Sequence, residues 1–328
     1  MKNIPASAPR DTAQSLRRSI EILKALSAPM KRGFSLSELS RMAGLPHPTV
    51  LRLLRHLTGL GMVAWDPATK IYRLGTLTFE PGLAAAEHCD IRGLCGDSLD
   101  RLQAETQDTC YLTMRSGFDA VCIDRREGAS PIRVLTLDIG SRRPLGVGAA
   151  GLAILDCLPE EEAETVIQAS ESKLDRYNRM STDIMRMLLQ ETRERGYAVC
   201  GNWVTLGVTA VAVPICIEDG RPIGSLSVSA VSHRMPADRW PGIARALRAE
   251  MHEIHRKLQG PSSRPGYGRL SGCRGACPCS VPVPAGTGTP CRRRRAQDPA
   301  SSIATLTSSA ASHISERRLP RPPMYSAT

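Results

Sequence analysis

Between residues 35 and 48 the chain starts a helix, stops it and starts another. Ser35-Leu-Ser-Glu38 has the spacing of a capping box, in which each side chain satisfies a backbone N–H left open at a helix start. Gly44 is the residue type that ends a helix in the left-handed conformation. Pro48 suits the first turn of a following helix, where its missing N–H has no partner to lose. The chain is thereby committed to two short helices joined by a tight Gly44-Leu-Pro46 turn.

The flanks extend this pattern. Upstream, Leu16, Ile20, Leu23 and Leu26 recur at three-to-four-residue spacing, which predicts a helix from Ser15 with these residues on its buried face, after a flexible leader over 1–14. In the helix beginning near Pro48, Val50, Leu53, Leu54, Leu57 and Leu60 make one apolar stripe, and Thr49, Arg52, Arg55 and His56 face the other way. Two short alternating runs, 62–65 and 70–74, then bracket the turn Asp66-Pro67-Ala68-Thr69, which predicts a hairpin.

Three short helices and a hairpin are the parts of a winged helix-turn-helix. Its third helix presents side chains to base edges in the major groove, while the wing touches phosphates. Charge agrees with that reading: residues 1–75 hold 12 Lys+Arg against 4 Asp+Glu, whereas residues 76–260 hold 21 against 26. A basic module beside an acidic one implies that only part of the chain meets a polyanion. The candidate DNA contacts are His47, Pro48, Thr49, Arg52 and Arg55 on the third helix, with Arg17, Lys70 and Arg73 placed for phosphates. Arginine is the side chain suited to bidentate reading of guanine. Taken alone, such charges are more often the solvated face of an amphipathic helix.

The runs Ser15-Leu-Arg-Arg-Ser-Ile-Glu-Ile-Leu, Ser35-Leu-Ser-Glu-Leu, Gly44-Leu-Pro-His-Pro-Thr-Val-Leu-Arg-Leu-Leu and Tyr72-Arg-Leu-Gly resemble the DNA-binding module of IclR-type regulators. The resemblance covers most of residues 15–258. It implies an α+β chain with a winged helix-turn-helix over 15–76 and a GAF-like mixed α/β sensor domain over 77–260. It also implies a homodimer, or a dimer of dimers, on a palindromic double-stranded DNA operator, controlled by a small-molecule effector. By the same resemblance Gly148, Ala149, Ala150, Cys200, Val208, Ala210, Ser227 and Ser229 face the effector. Members of that family often carry an acid near position 200, where this chain has Cys200. Together with the apolar pocket positions, this predicts a small, largely apolar effector bearing a carboxylate.

The pattern of the second half predicts helices at 83–107, 149–157, 159–170, 181–195 and 236–258, with strands at 110–115, 120–126, 132–138, 208–217 and 223–230. In 224–230 the serines at 225, 227 and 229 alternate onto one strand face. Gly146-Val-Gly148-Ala-Ala-Gly151 has the spacing of a dinucleotide fingerprint, but Arg142-Arg143-Pro144 stand where that motif requires a strand. No cofactor is expected.

Other function classes have less behind them. Nucleophile, base and orienting group do not occur together around any of the seven histidines, so an enzyme domain fused to a nucleic-acid anchor is an alternative only. A thiol redox sensor is another, resting on Cys110, Cys122, Cys157, Cys200 and Cys216, of which Cys200 is expected to be the exposed one. Singly scattered cysteines, the lack of an apolar run of membrane-spanning length and the lack of a secretory core point to a cytoplasmic protein without membrane contact. Beyond Gly260 periodicity stops. Residues 261–328, with 10 Arg against 2 acids, are expected to be a disordered Arg/Pro/Ser-rich tail whose Cys273, Cys277, Cys279 and Cys291 lack zinc spacing, and no metal is expected.

Overall fold

The computed structural model describes residues 10–259, apart from positions 31, 89, 132, 178, 218 and 219. The tail and residues 1–9 therefore lie outside the described residues. Helix α1 spans Arg10–Leu26, earlier than expected, because nothing after Pro9 breaks it. Residues 10–14 are thus helix and not leader. Ile22 and Leu26 are its buried positions, whereas Leu16 and Ile20 are 64% and 43% exposed. The reason is geometric: only the C-terminal half of α1 reaches the core built with α2 and α3.

Helix α2 (Leu36–Ala43) begins with the anticipated reciprocal cap. The Ser35 hydroxyl accepts from Glu38 N–H at 3.4 Å, and Ser35 N–H donates to Glu38 Oε2 at 2.8 Å. Those Ser35 groups, backbone first, hold the Glu38 carboxyl down at about 2. Gly44 closes the helix at φ 64°, its N–H returning to the Ser40 carbonyl. Helix α3 (His47–Gly59) buries Val50, Leu53, Leu54 and Leu57 against α1 and α2. Leu60 follows the last helical residue and is exposed, so the stripe ends one turn sooner than its spacing suggests. Strands β1 (Val63–Asp66) and β2 (Ile71–Leu74) pair antiparallel as the wing. Asp66 shapes its tip by accepting from Ala68 N–H at 3.0 Å and from the Thr69 hydroxyl at 2.6 Å.

The predicted helix at 83–107 is two helices, α4 (Phe79–His88) and α5 (Ile91–Thr106). Asp90 separates them, because its carboxylate accepts from Gly93 N–H at 2.8 Å and so caps α5. A six-stranded sheet follows, made of β3 (Thr109–Ser116), β4 (Asp119–Arg126), β5 (Arg142–Pro144), β6 (Ala198–Gly201), β7 (Val208–Cys216) and β8 (Pro222–Val231). Its order is β5-β4-β3-β8-β7-β6 and every neighbouring pair is antiparallel. Helices α5 and α9 (Trp240–Gln259) bury Leu99, Leu102 and Leu247 on one face, over Val211 and Val228. Helices α6 (Ala149–Asp156), α7 (Glu160–Ser170) and α8 (Thr182–Arg195) bury Leu152, Ile167 and Met185 on the other. The chain is α+β, with an N-terminal winged helix-turn-helix and a C-terminal mixed α/β domain.

The strand predicted at 132–138 does not form over its described residues, 133–138. Side chains occupy its carbonyls instead: the Tyr111 hydroxyl donates to Val134 O at 2.6 Å, Arg143 Nη2 to Thr136 O at 2.8 Å and Arg125 Nη1 to Leu137 O at 2.9 Å. The sheet edge is supplied by β5, a few residues later.

Candidate nucleic-acid interface and ligand pocket

Two surfaces combine charge with accessibility. On α3, Arg52 and Arg55 are exposed beside exposed His47 and Pro48 and half-buried Thr49. Lys70 and Arg73 are exposed on the wing, Lys70 in the left-handed conformation at φ 56°, and Arg17 is exposed on α1. Among the described residues none of Arg17, Arg52, Arg55, Lys70 and Arg73 is paired with a carboxylate, in contrast to Arg32, which pairs with Glu38. His47 is differently placed. Its Nδ1 lies 3.1 Å from the Ser40 hydroxyl and its Nε2 3.2 Å from that of Ser37. Both ring nitrogens brace the start of α3 against α2, so its polar edge is already occupied.

The second surface is a cleft of about 490 Å³, its mouth included, where the first turn of α6 meets β3, β6, β7 and β8. Gly148, Ala149, Ala150, Cys200, Val208, Ala210, Ser227 and Ser229 all line it, so positions far apart in sequence converge on one cavity. Antiparallel pairing does this: Ala210 sits opposite both Cys200 and Ser229. Gly148 enters α6 at φ 86°, a conformation that strains any L side chain. The neighbouring Ser225 does something else, its hydroxyl donating to Ala150 O at 3.0 Å and fastening α6 to β8. Among the described residues the hydroxyls of Ser227 and Ser229 make no hydrogen bond.

Tyr111, Thr136, Leu137, Val147, Asn202, Val204 and Thr205 also line it, and neither the resemblance nor the spacing singles them out. Arg143 lines the cleft too, and the structure separates it from its neighbour Arg142. Arg142 turns to Asp119 at 3.2 Å, whereas Arg143 lines the cleft, its Nη1 3.7 Å from where a Cβ on Gly148 would stand. The alternation of a strand is the signal that parts them, since neighbours in β5 point to opposite faces. Burial pulls the Arg143 guanidinium below its ordinary value, against the opposing influence of the Tyr177 and Tyr111 phenols and the Cys200 and Cys122 thiols. No acid group is among these influences.

Cys200 is buried, contrary to the expectation of exposure, because β6 is covered by α6 and α8. Burial pushes its thiol up to about 11, and the Cys95, Cys110 and Cys122 thiols are raised by the same cause. Contrary to expectation, Arg142-Arg143-Pro144 do form a strand, β5, but the glycines after it serve no parallel β-α-β unit, since every neighbouring strand pair of the sheet is antiparallel. No helix among the described residues is long and apolar enough to cross a membrane.

Comparison with known proteins agrees on both halves. Residues 15–67 match the model of the IclR helix-turn-helix domain, and residues 83–256 match that of the bacterial transcriptional regulator IclR C-terminal domain. The HTH-type transcriptional repressor AllR of Escherichia coli K12 is 30% identical over 251 residues, spanning 75% of this chain and 90% of AllR. The HTH-type transcriptional regulator KipR of Bacillus subtilis is 29% identical over 230 residues, spanning 70% of this chain and 91% of KipR. Among solved structures, an IclR regulator from Alicyclobacillus acidocaldarius superposes with a TM-score of 0.58 at 25% identity, covering 74% of this chain and 98% of that one. An IclR homologue from Microbacterium hydrocarbonoxydans, solved with 4-hydroxybenzoate, shares the fold at a TM-score of 0.57 and 21% identity, covering 75% of this chain and 99% of that one.

Proposed function

The chain belongs to the IclR family of bacterial transcriptional regulators, and on that premise we propose that a small, largely apolar organic acid controls its grip on a palindromic operator. In this reading the regulator binds as a homodimer, with α3 in the major groove and the wing on phosphates. The observation that carries the choice of effector is Arg143. A guanidinium drawn into a cleft without an acid partner is costly until an anion arrives to pair with it. Beside it, the open N–H groups at the start of α6 favour the same charge, and Ala149, Ala150, Val208 and Ala210 supply apolar wall. Ser227 and Ser229 supply orienting hydroxyls. A sugar would need more polar partners than these, since each buried hydroxyl left unpaired costs about 1–3 kcal/mol.

Calorimetric titration tests this with 4-hydroxybenzoate, its neutral amide, short aliphatic acids, sugars and nucleotides. Acids should bind and the amide should not. Arg143→Met should erase that preference, losing about 1.5–3 kcal/mol, or roughly 10- to 100-fold in affinity. Binding of sugars or nucleotides alone, or an acid preference that survives Arg143→Met, would overturn the assignment.

A further inference from the structure

Helix α6 carries the effector cleft at its first turn and a thiol pair at its last. Cys157 caps the C-terminus of α6, and its sulfur lies 3.6 Å from that of Cys216, the final residue of β7. Fifty-nine residues separate the two in sequence, so their meeting is made by packing of the helix on the strand. They also differ from the other thiols of the domain. Among the described residues Cys95, Cys110, Cys122 and Cys200 are buried and none of them contacts a second thiol, while Cys157 and Cys216 are both only half-buried. Oxidation of a thiol needs access for the oxidant, and closure to a disulfide needs a second thiol in contact.

We propose that Cys157 and Cys216 are a modification site: a thiol pair that a peroxide converts to a disulfide, tying the end of α6 to β7. One thiolate attacks a peroxide oxygen, so that an S–O bond forms, the O–O bond breaks and water leaves after protonation. The second thiol then attacks that sulfur. An S–S bond forms, the S–O bond breaks and a second water departs, so two electrons pass from the thiols to the peroxide. The sulfurs must close by about 1.5 Å to reach bonding distance. Cys216 lies just past a shift in the pairing register of β7 with β8, at the end of its strand and not in an unbroken ladder. A small dithiol reverses the step by exchange. The opposite end of α6 is fastened by Ser225, so the disulfide would fix both ends of the helix that borders the cleft.

The experiment uses the full chain, reduced and then exposed to hydrogen peroxide, with remaining thiols alkylated before tryptic mass mapping. A linked pair of peptides should appear, one with Cys157 and the other with Cys216. It should be lighter than their sum by two hydrogens and be released by dithiothreitol. Hydrogen exchange of the amides from Ile154 to Leu158 should slow in the oxidised protein. Cys200 shares a tryptic peptide with Cys216, so Cys216→Ser decides between them: it must abolish both the link and the slowing, as must Cys157→Ser. Full alkylation of Cys157 and Cys216 after peroxide, or a link that survives Cys216→Ser, would overturn the proposal.

Discussion

On the outer face of α3, Arg52 and Arg55 stand in solvent with no acid beside them among the described residues, whereas Arg234 and Arg239 converge from 126 and 131 residues downstream on Asp108, at 3.1 and 2.6 Å. The Asp108 side chain is only 2% exposed, and Arg239 also donates to Thr106 O at 2.9 Å. Asp124, 4% exposed, is likewise held by Arg92 and Arg126. The same side chain thus serves two ends. In the C-terminal domain it neutralises carboxylates that burial would otherwise penalise, and joins elements distant in sequence. On α3 its charge is left uncompensated, which is the condition for meeting phosphates and base edges from outside. Arg143 belongs to neither group, being inside like the first and unpaired like the second.

That contrast can be broken most forcefully at Asp108. Asp108→Asn leaves two guanidinium groups facing a neutral amide, and with both arginines about a third exposed the expected loss is about 3 kcal/mol in urea unfolding. A loss under about 0.5 kcal/mol would mean that the pairing is ornamental. Arg52→Ala probes the other side. Unfolding free energy should stay within about 0.5 kcal/mol of the parent, while affinity for the specific operator falls by about 1–3 kcal/mol in a gel-shift titration. Equal binding would show that α3 does not read bases through this residue. The smallest effect is expected from Arg73→Ala on the wing. Binding should weaken alike on all sequences, and the slope of log affinity against log salt should become shallower by about 1. A loss confined to one sequence would instead place Arg73 at a base.

Much of the first domain was legible because its signals are local. The Ser35–Glu38 cap, the Gly44 stop and the wing turn each act within a few residues, and each recurs in the structure as a specific hydrogen bond or backbone angle. The burial of Leu16, Ile20 and Leu60 was misread for the converse reason. Spacing places residues on one face of a helix but does not say how far the neighbouring helices extend along it. In the second domain the break at Asp90 was written in the sequence as an ordinary cap residue, yet it was hidden inside a long helical pattern. Strand β6, Ala-Val-Cys-Gly, is too short to announce itself. The cleft residues came from family likeness and not from periodicity, because strand pairing across the sheet is what brings Cys200, Ala210 and Ser229 together. Nor does any local feature foretell that three side chains would claim the carbonyls of 134–137.

Those three hydrogen bonds hold one wall of the cleft without any help from the sheet. Thr136 and Leu137 form part of its wall, yet they lie outside the β-ladder. Swinging them aside means releasing the donors of Tyr111, Arg143 and Arg125 at about 0.5–1.5 kcal/mol apiece, far less than parting two strands of the sheet. A molecule arriving at Arg143 would also compete for the guanidinium that holds Thr136. On the proposed effector reading, the guanidinium that would pair with the acid is also one of the donors that hold this wall in place.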